Sequence, residues 1–333
     1  MSILQLLESA RKVDAIMLRY LCRGLDEVFL PVVLHQTEAG GKRIRPAFTL
    51  ASCEAAGGRE EDALVPAAMI ELIHNYSLIM DDIIDKGMIR RGLPTVRAKY
   101  SEVMALLAGM FYREVLDEIA EDCPQPTKMR TLLIDTIKET IEGERLDILF
   151  EQAGRNEEYI VQNRFANVPL NLYLNMIGKK TAHLIQAACV AGGISANAKD
   201  SVVETLSKFG WSAGMAFQVI DDFLDVFGEK TGKEKGKDIL EHKLGNAAII
   251  LSLEELSQED KVRLMTVLRK ERVTDTDAQQ AFRLIAKTQT RARTQKLAFD
   301  FLKECKEALS ELSESSGRTK LEALADFVVS RVY

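Results

Sequence analysis

Proline is missing from the second half of this chain. All seven prolines lie at or before Pro169, and nothing after that point forces a helix to stop. Aromatic residues are scarce as well, at 6%, whereas Leu, Ala, Glu, Lys and Ile recur at three- and four-residue spacing throughout. The expected class is all-α. The five cysteines (Cys22, Cys53, Cys123, Cys189, Cys305) are scattered, with no C-x-x-C pair and no histidine at zinc spacing, so reduced thiols in a cytoplasmic protein are expected. No basic block is long enough to form a nucleic-acid stripe, and a net charge of −6 with a pI near 5.5 argues against that partner. No run of about 18 uninterrupted apolar residues occurs, so no transmembrane segment is expected. The opening MSILQLLESARKVD carries Glu8 and Arg11 within any would-be apolar core, so it does not read as a signal peptide. The hydrophobic share of 47% suffices for a large core. SESSG near the C-terminus is at most a weak boundary, and a single domain over 1–333 is expected.

Two aspartate clusters stand out against that background. DDIID (Asp81, Asp82, Asp85) follows the apolar run ELIHNYSLIM, and DDFLD (Asp221, Asp222, Asp225) follows WSAGMAFQVI. Residues four apart on a helix lie one turn above each other, so Asp81 and Asp85 share a face with Asp82 beside them. Like charges there repel, and partly desolvated carboxylates disfavour their charged form unless paired. Mg²⁺ relieves such crowding, because it prefers carboxylate and water oxygens shared with substrate phosphates. One DDxxD alone is weak evidence, since a solvated acidic helix end looks the same. Two copies, each after an apolar helix and before a basic loop, are harder to explain that way.

The basic residues fall into four stretches. In EAGGKRIRP, Gly40 and Gly41 permit unusual backbone angles and Pro46 suits the first turn of a helix. Lys42, Arg43 and Arg45 therefore gather at a helix N-terminus, where backbone N–H groups favour an anion. KGMIRRGLPTVR puts Arg90 and Arg91 in a turn directly after the first acid cluster, with forks that match phosphate oxygens. GKKT at 178–181 fails as a P-loop, because Tyr173 stands where the first Walker glycine belongs and no strand precedes it. The helix is interrupted there instead, which can turn a carbonyl and the Thr181 hydroxyl toward a cavity. Lys233 in GEKTGKEKGKD and the nearby Lys243 are further candidates for phosphate contacts, although lysine-rich loops are more often simply solvated.

His74 lies seven residues before Asp81, about two turns up on nearly the same face. A lone histidine on an apolar helix is usually a core residue, but this alignment makes it a candidate for holding substrate. Glu142, Glu144, Arg145 and Asp147 read as solvated helix surface with no chemistry. Helices are expected over 63–85, 100–119, 131–152, 159–176 and 202–227, after an amphipathic opening with Leu6, Ala10, Val13, Met17 and Leu21 on one side.

In order along most of the chain, GGKRIRP, His74 with DDIID and RRG, KKT, FQVIDDFLD and GKDILEHK resemble the trans-isoprenyl diphosphate synthases, the polyprenyl synthetase family. The resemblance implies a bundle of mostly antiparallel helices around a deep central cavity, with the two acid clusters facing each other across its mouth. It also implies a homodimer that joins isopentenyl diphosphate to an allylic diphosphate with Mg²⁺. By the same resemblance Asp81, Asp85 and Asp221 ligate metal, and Asp82, Asp222 and Asp225 support it directly or through water. Arg90, Lys180, Lys233 and Lys243 contact the allylic diphosphate, while Lys42, Arg45, His74 and Arg91 hold isopentenyl diphosphate. Thr181 and Gln218 lie beside the reacting carbon.

Tyr76 and Ser77, five and four residues above Asp81, are positioned to limit the growing tail, and a bulky Tyr76 resembles the twenty-carbon type. A transient membrane contact for product release is expected. Met110, Glu144 and the LGNAA after Lys243 depart from the family's common pattern and loosen the product-length expectation. The alternatives are a fifteen-carbon, twenty-five-carbon or longer product, a class I terpene cyclase, and a non-catalytic regulatory subunit. The intact second DDxxD, GGKRIRP and RRG argue against the cyclase, and the retained aspartates and arginines argue against the silent subunit.

Overall fold

The computed structural model describes residues 2–228 and 236–330. It is all-α. The only strands among the described residues are Ile89–Arg90 and Leu93–Pro94, paired antiparallel as one short hairpin. The chain forms two compact units, each gathered from three stretches of sequence. The first comprises Met1–Lys138, Leu184–Gly210 and Ala308–Leu324, and the second Glu139–His183, Trp211–Glu307 and Ala325–Tyr333. Because the stretches interleave, no polar linker marks a boundary.

The first unit is built on the helix Leu64–Ile84, whose run Pro66–Ile73 is buried throughout. Each large apolar side chain so buried contributes roughly 2 kcal/mol. By length and composition the segment Glu60–Ile84 could cross a bilayer, a feature that a search for uninterrupted apolar runs overlooks. However, 67% of its apolar window is buried inside the protein, as in the core helix of a folded domain. Around it pack Ile44–Ala55, Val13–Leu21 and Glu102–Glu121. The last approaches closely through Gly109, where an added β-carbon would lie 2.9 Å from Met80 Sδ. The opening segment is helical through Ile3–Ser9, a 3₁₀ turn at Ala10–Lys12 and Val13–Leu21, and breaks only before the next helix, Leu30–Glu38. Its expected stripe of Leu6, Ala10, Val13, Met17 and Leu21 is buried.

The second unit includes the end of Pro126–Phe150, the helix Leu170–Ile177, the latter part of Asp200–Phe227, and the helices Ala247–Glu255, Gln258–Leu268 and Asp275–Ile285. The helix expected over 159–176 is instead two helices, Glu158–Asn163 and Leu170–Ile177. Pro169, which N-caps the second, supplies the break.

Candidate active site

In the first unit, the helix Leu64–Ile84 carries His74, Tyr76, Ser77, Asp81 and Asp82, with Asp85 as its C-cap. The middle carboxylate, Asp82, is buried. Arg90 donates to it from both Nε (3.0 Å) and Nη2 (2.9 Å), a bidentate pair. A side chain at Gly87 would place its β-carbon 2.5 Å from Asp82 Oδ1, so the chain turns here against the carboxylate itself. The hairpin that delivers Arg90 closes through Arg91 (φ 54°) and Gly92 (φ 78°), both left-handed as a two-residue type I′ turn requires. Thr95 fastens its base, donating its backbone N–H to Met88 O and its hydroxyl to Gly87 O. Asp81 and Asp85 remain half-buried.

The GGKRIRP loop supplies the other cations. Arg43, left-handed at φ 54°, is the N-cap of Ile44–Ala55 and is only 2% exposed. It donates to Asp14 (2.6 Å), to Glu71 (3.0 Å) and to the Gly40 and Thr37 carbonyls. Gly41 (φ 151°) is required twice over: a β-carbon there would come within 2.8 Å of Arg43 Nη1 and 3.1 Å of Arg91 Nη1. Burial pushes the Glu71 carboxyl up, while Arg43, Arg45 and Arg91 work against that rise. His74 is held far below its ordinary value by burial and then by Arg45, Arg91, Arg90 and Arg43. The imidazole is therefore neutral and within electrostatic reach of four guanidiniums, a field suited to a multiply charged anion. Lys42, next to Arg43 in the loop, is exposed.

The second unit presents a different acid cluster. Asp222 is buried and accepts from neutral donors: the Tyr173 hydroxyl (2.7 Å), Gln218 Nε2 (2.9 Å) and the Ala247 backbone N–H (2.8 Å). Asp225 accepts from the backbone N–H groups of Lys237 (2.9 Å) and Asp238 (3.4 Å) at the start of the short helix Lys237–Leu240. Burial, then the Asp238 charge, pushes Asp225 up to about 7 and raises Asp222 as well. Asn246 stands within the LGNAA departure; it caps Ala247–Glu255 and donates to Asp238 Oδ2 at 2.8 Å.

GKKT is a π-helical turn, Gly178–Ala182, in which the His183 N–H reaches back to the Gly178 carbonyl. Such insertions occur frequently at functional sites. Three glycines let it form: a β-carbon would lie 2.6 Å from Trp211 at Gly178, 2.3 Å from Lys180 N at Gly143 and 2.4 Å from Ala182 Cα at Gly214. The turn directs the Thr181 hydroxyl to Gln218 Oε1 (2.8 Å), so Thr181, Gln218 and Asp222 form one hydrogen-bonded line.

The first unit thus gathers Arg45, His74, Arg90 and Arg91 beside DDIID, and the second gathers Lys180, Thr181, Gln218 and Lys243 beside DDFLD. Lys233 lies outside the described residues. One expectation is corrected. Glu142 and Arg145 do form an exposed surface pair, but Glu144 and Asp147 are 9% and 6% exposed and are not solvated. Both carboxylates lie 2.6 Å from Lys180 Nζ, and Asp147 is also 3.5 Å from Lys243 Nζ. Burial opposes the Asp147 charge, yet Lys180 and Lys243 hold it below the usual carboxylate range. Gly143 directly before Glu144, with Asp147 three residues on, was the available signal. Glu71 was missed as well, because its partners are distant in sequence. Arg43 cannot be told from Arg45 in GGKRIRP, although one is an internal anchor.

Among the described residues no three His, Cys, Asp or Glu side chains converge closely enough to cage a metal unaided. Mg²⁺ asks for less, commonly one or two carboxylates with water and phosphate completing the shell. The all-oxygen donors at both clusters fit it.

The family profile described as Polyprenyl synthetase matches residues 26–285. The chain is 36% identical to a short chain isoprenyl diphosphate synthase of Methanothermobacter thermautotrophicus, covering 92% of this chain and 91% of that one. It is 33% identical to a geranylgeranyl diphosphate synthase of Methanosarcina mazei, covering 89% and 87%. A crystal structure of a decaprenyl diphosphate synthase from Rhodobacter capsulatus superposes with a TM-score of 0.88 at 29% identity, over 99% of this chain and 98% of the other.

Proposed function

The chain belongs to the polyprenyl synthetase family and is a trans-prenyltransferase that elongates prenyl diphosphates, and from that premise we propose that its product is geranylgeranyl diphosphate. The observation that carries this reading is the sequence of functions along one helix. Leu64–Ile84 presents a half-buried Tyr76 five residues before Asp81, roughly 7.5 Å along the axis, on the same helix as His74, which feels the charge of four arginines. Burial raises the Tyr76 phenol and outweighs the opposing charge of Arg113, so the ring lies largely out of water, where it would stop a tail. Met110 is 59% exposed and so is no part of the core around that helix.

In the proposed reaction, Lys42, Arg45, His74 and Arg91 hold isopentenyl diphosphate. Neutral His74 offers a hydrogen bond without adding to the crowded positive charge. Arg90, Lys180, Lys233 and Lys243 contact the allylic diphosphate, with the Nε–Nη2 edge of Arg90 fixed by Asp82 and its Nη1 edge left for a phosphate oxygen. Asp81 and Asp85 at one cluster, and Asp221 and Asp225 at the other, would hold Mg²⁺, with Asp82 and Asp222 fixed behind them. Bound there, Mg²⁺ would neutralise charge on the departing diphosphate. The Thr181–Gln218 pair turns oxygen dipoles toward the electron-poor allylic carbon, and apolar walls keep water from it. The double bond of isopentenyl diphosphate then attacks, and the proton lost passes to the released diphosphate.

The proposal includes a single isoprenoid-synthase domain over 1–333, a cytoplasmic location and a transient membrane contact at product release. It also includes a homodimer, supported by the exposed stripe Val103, Leu106, Leu107 and Met110 on Glu102–Glu121, whose spacing is that of one helix face.

Product analysis tests the central claim. Purified protein with Mg²⁺, isopentenyl diphosphate and dimethylallyl, geranyl or farnesyl diphosphate should give a linear twenty-carbon diphosphate, and Tyr76→Ala should lengthen it. A thirty-carbon or longer wild-type product, or unchanged length in Tyr76→Ala, overturns the chain-length reading.

A further inference from the structure

Lys180 is gripped more firmly than a lysine needs for its own stability. Its ammonium has three N–H donors, and two carboxylates, Glu144 and Asp147, each lie 2.6 Å away. The grip is built into the backbone. Gly143 lets Pro126–Phe150 touch the main chain of Lys180, which puts the side chains of the next residue and of Asp147, one turn on, at the ammonium. Lys243 reaches Asp147 from a separate strand-like contact, the bridge between Glu151 and Lys243. One carboxylate would suffice to anchor either lysine. The second adds charge: Asp147 accepts the hydrogen bond from Lys180, and the Glu144 carboxylate, 2.6 Å from the same ammonium, offsets its charge further.

We propose that the Glu144 carboxylate, acting through Lys180, weakens the enzyme's grip on the allylic diphosphate. With Asp147 alone beside it, Lys180 would present a larger net positive charge to a phosphate and bind it more tightly before ionisation. Uniformly tighter binding lowers KM without raising kcat, and it slows the departure of a diphosphate product. The Glu144 charge limits that trap, while Asp147 holds Lys180 by its hydrogen bond. The proposal rests on the reading that Lys180 touches the allylic diphosphate, so its test must separate the two.

Steady-state kinetics of Glu144→Gln, Lys180→Ala and the double variant do so. Glu144→Gln keeps a carbonyl near the ammonium and removes only the charge. The expected result is an allylic KM lowered about three- to tenfold, an unchanged isopentenyl diphosphate KM, a kcat equal or reduced, and tighter binding of inorganic diphosphate by calorimetry. Lys180→Ala should raise the allylic KM at least tenfold, and adding Glu144→Gln to it should change nothing further. If Lys180→Ala raises the allylic KM but Glu144→Gln leaves both it and diphosphate binding within twofold of wild type, the charge-offsetting role is refuted and the site reading stands. If Lys180→Ala leaves the allylic KM unchanged, the site reading fails and takes the proposal with it. A merely structural Glu144 would show itself as a shifted melting temperature with no change in either binding measure.

Discussion

The two aspartate clusters share a sequence pattern and differ in how their middle carboxylates are held. Asp82 faces a guanidinium that binds it with two hydrogen bonds, whereas Asp222 faces a phenol, an amide and a backbone N–H, none of them charged. Near Asp82, His74 is kept neutral first by burial and then by Arg45, Arg91, Arg90 and Arg43. At the second cluster burial and then the Asp238 charge act on Asp222 and Asp225, and both hold protons more tightly than a free carboxylate does. The first cluster therefore has its middle carboxylate compensated by Arg90. At the second, the described donors to the middle carboxylate carry no charge, so a bound cation has more to compensate there.

The largest effect expected from breaking this contrast is at Arg43. Arg43→Ala leaves Glu71 buried without its nearest counter-charge and should cost about 3–5 kcal/mol by urea denaturation. Lys42→Ala, one residue away and exposed, should cost under about 0.5 kcal/mol. Similar costs for the two would mean that the buried arginine is not what holds the loop. Next in size is a matched pair. Asp82→Asn breaks a bidentate ion pair and should cost about 2 kcal/mol. Asp222→Asn should cost about 1 kcal/mol or less. Its amide oxygen can keep the Tyr173 and Ala247 bonds, and Gln218 can flip to accept from its nitrogen while donating to Thr181. Equal losses would erase the distinction between a charge-paired cluster and a neutral-capped one.

Much of this was legible in the sequence, and what was not has a physical cause. Helices announced by long apolar periodicity, such as Leu64–Ile84 and Asp200–Phe227, fall within two residues of expectation. The interruption at GKKT is visible because a glycine followed by two lysines sits badly in an apolar helix, although its π-helical form depends on Gly143 and Gly214, which are remote in sequence. The short hairpin Ile89–Pro94 read only as a turn, since two residues per strand leave no alternation to detect. Glu71, Glu144 and Asp147 were invisible as site residues for one shared reason. A buried acid is distinguished from a surface acid by its partner, and here the partners lie 28, 36 and 33 residues away. Local spacing carries no record of such pairs.

The smallest expected effects are in the response to pH, and here the two regions should pull in opposite directions. His74 binds its proton less readily in the folded chain than its ordinary 6.5, so its contribution is present above that value and is lost as pH falls below it. Asp225, raised to about 7 from 3.8, works the other way: its contribution is present at and below pH 3.8 and is lost as pH rises from there through about 7. A single group changes stability by at most about 1.4 kcal/mol per pH unit. Thermal melts of metal-free protein across pH 5 to 8 should therefore change slope with each variant separately. His74→Gln should lessen the loss on acidification, and Asp225→Asn should lessen the loss on going alkaline. Since Mg²⁺ competes with the protons at the second cluster, the rise in melting temperature on adding it should be larger at pH 8 than at pH 6, and Asp225→Asn should shrink that difference while His74→Gln leaves it alone. A Mg²⁺ response whose pH dependence tracks His74 instead would move the proton competition to the first cluster and overturn its assignment to Asp225.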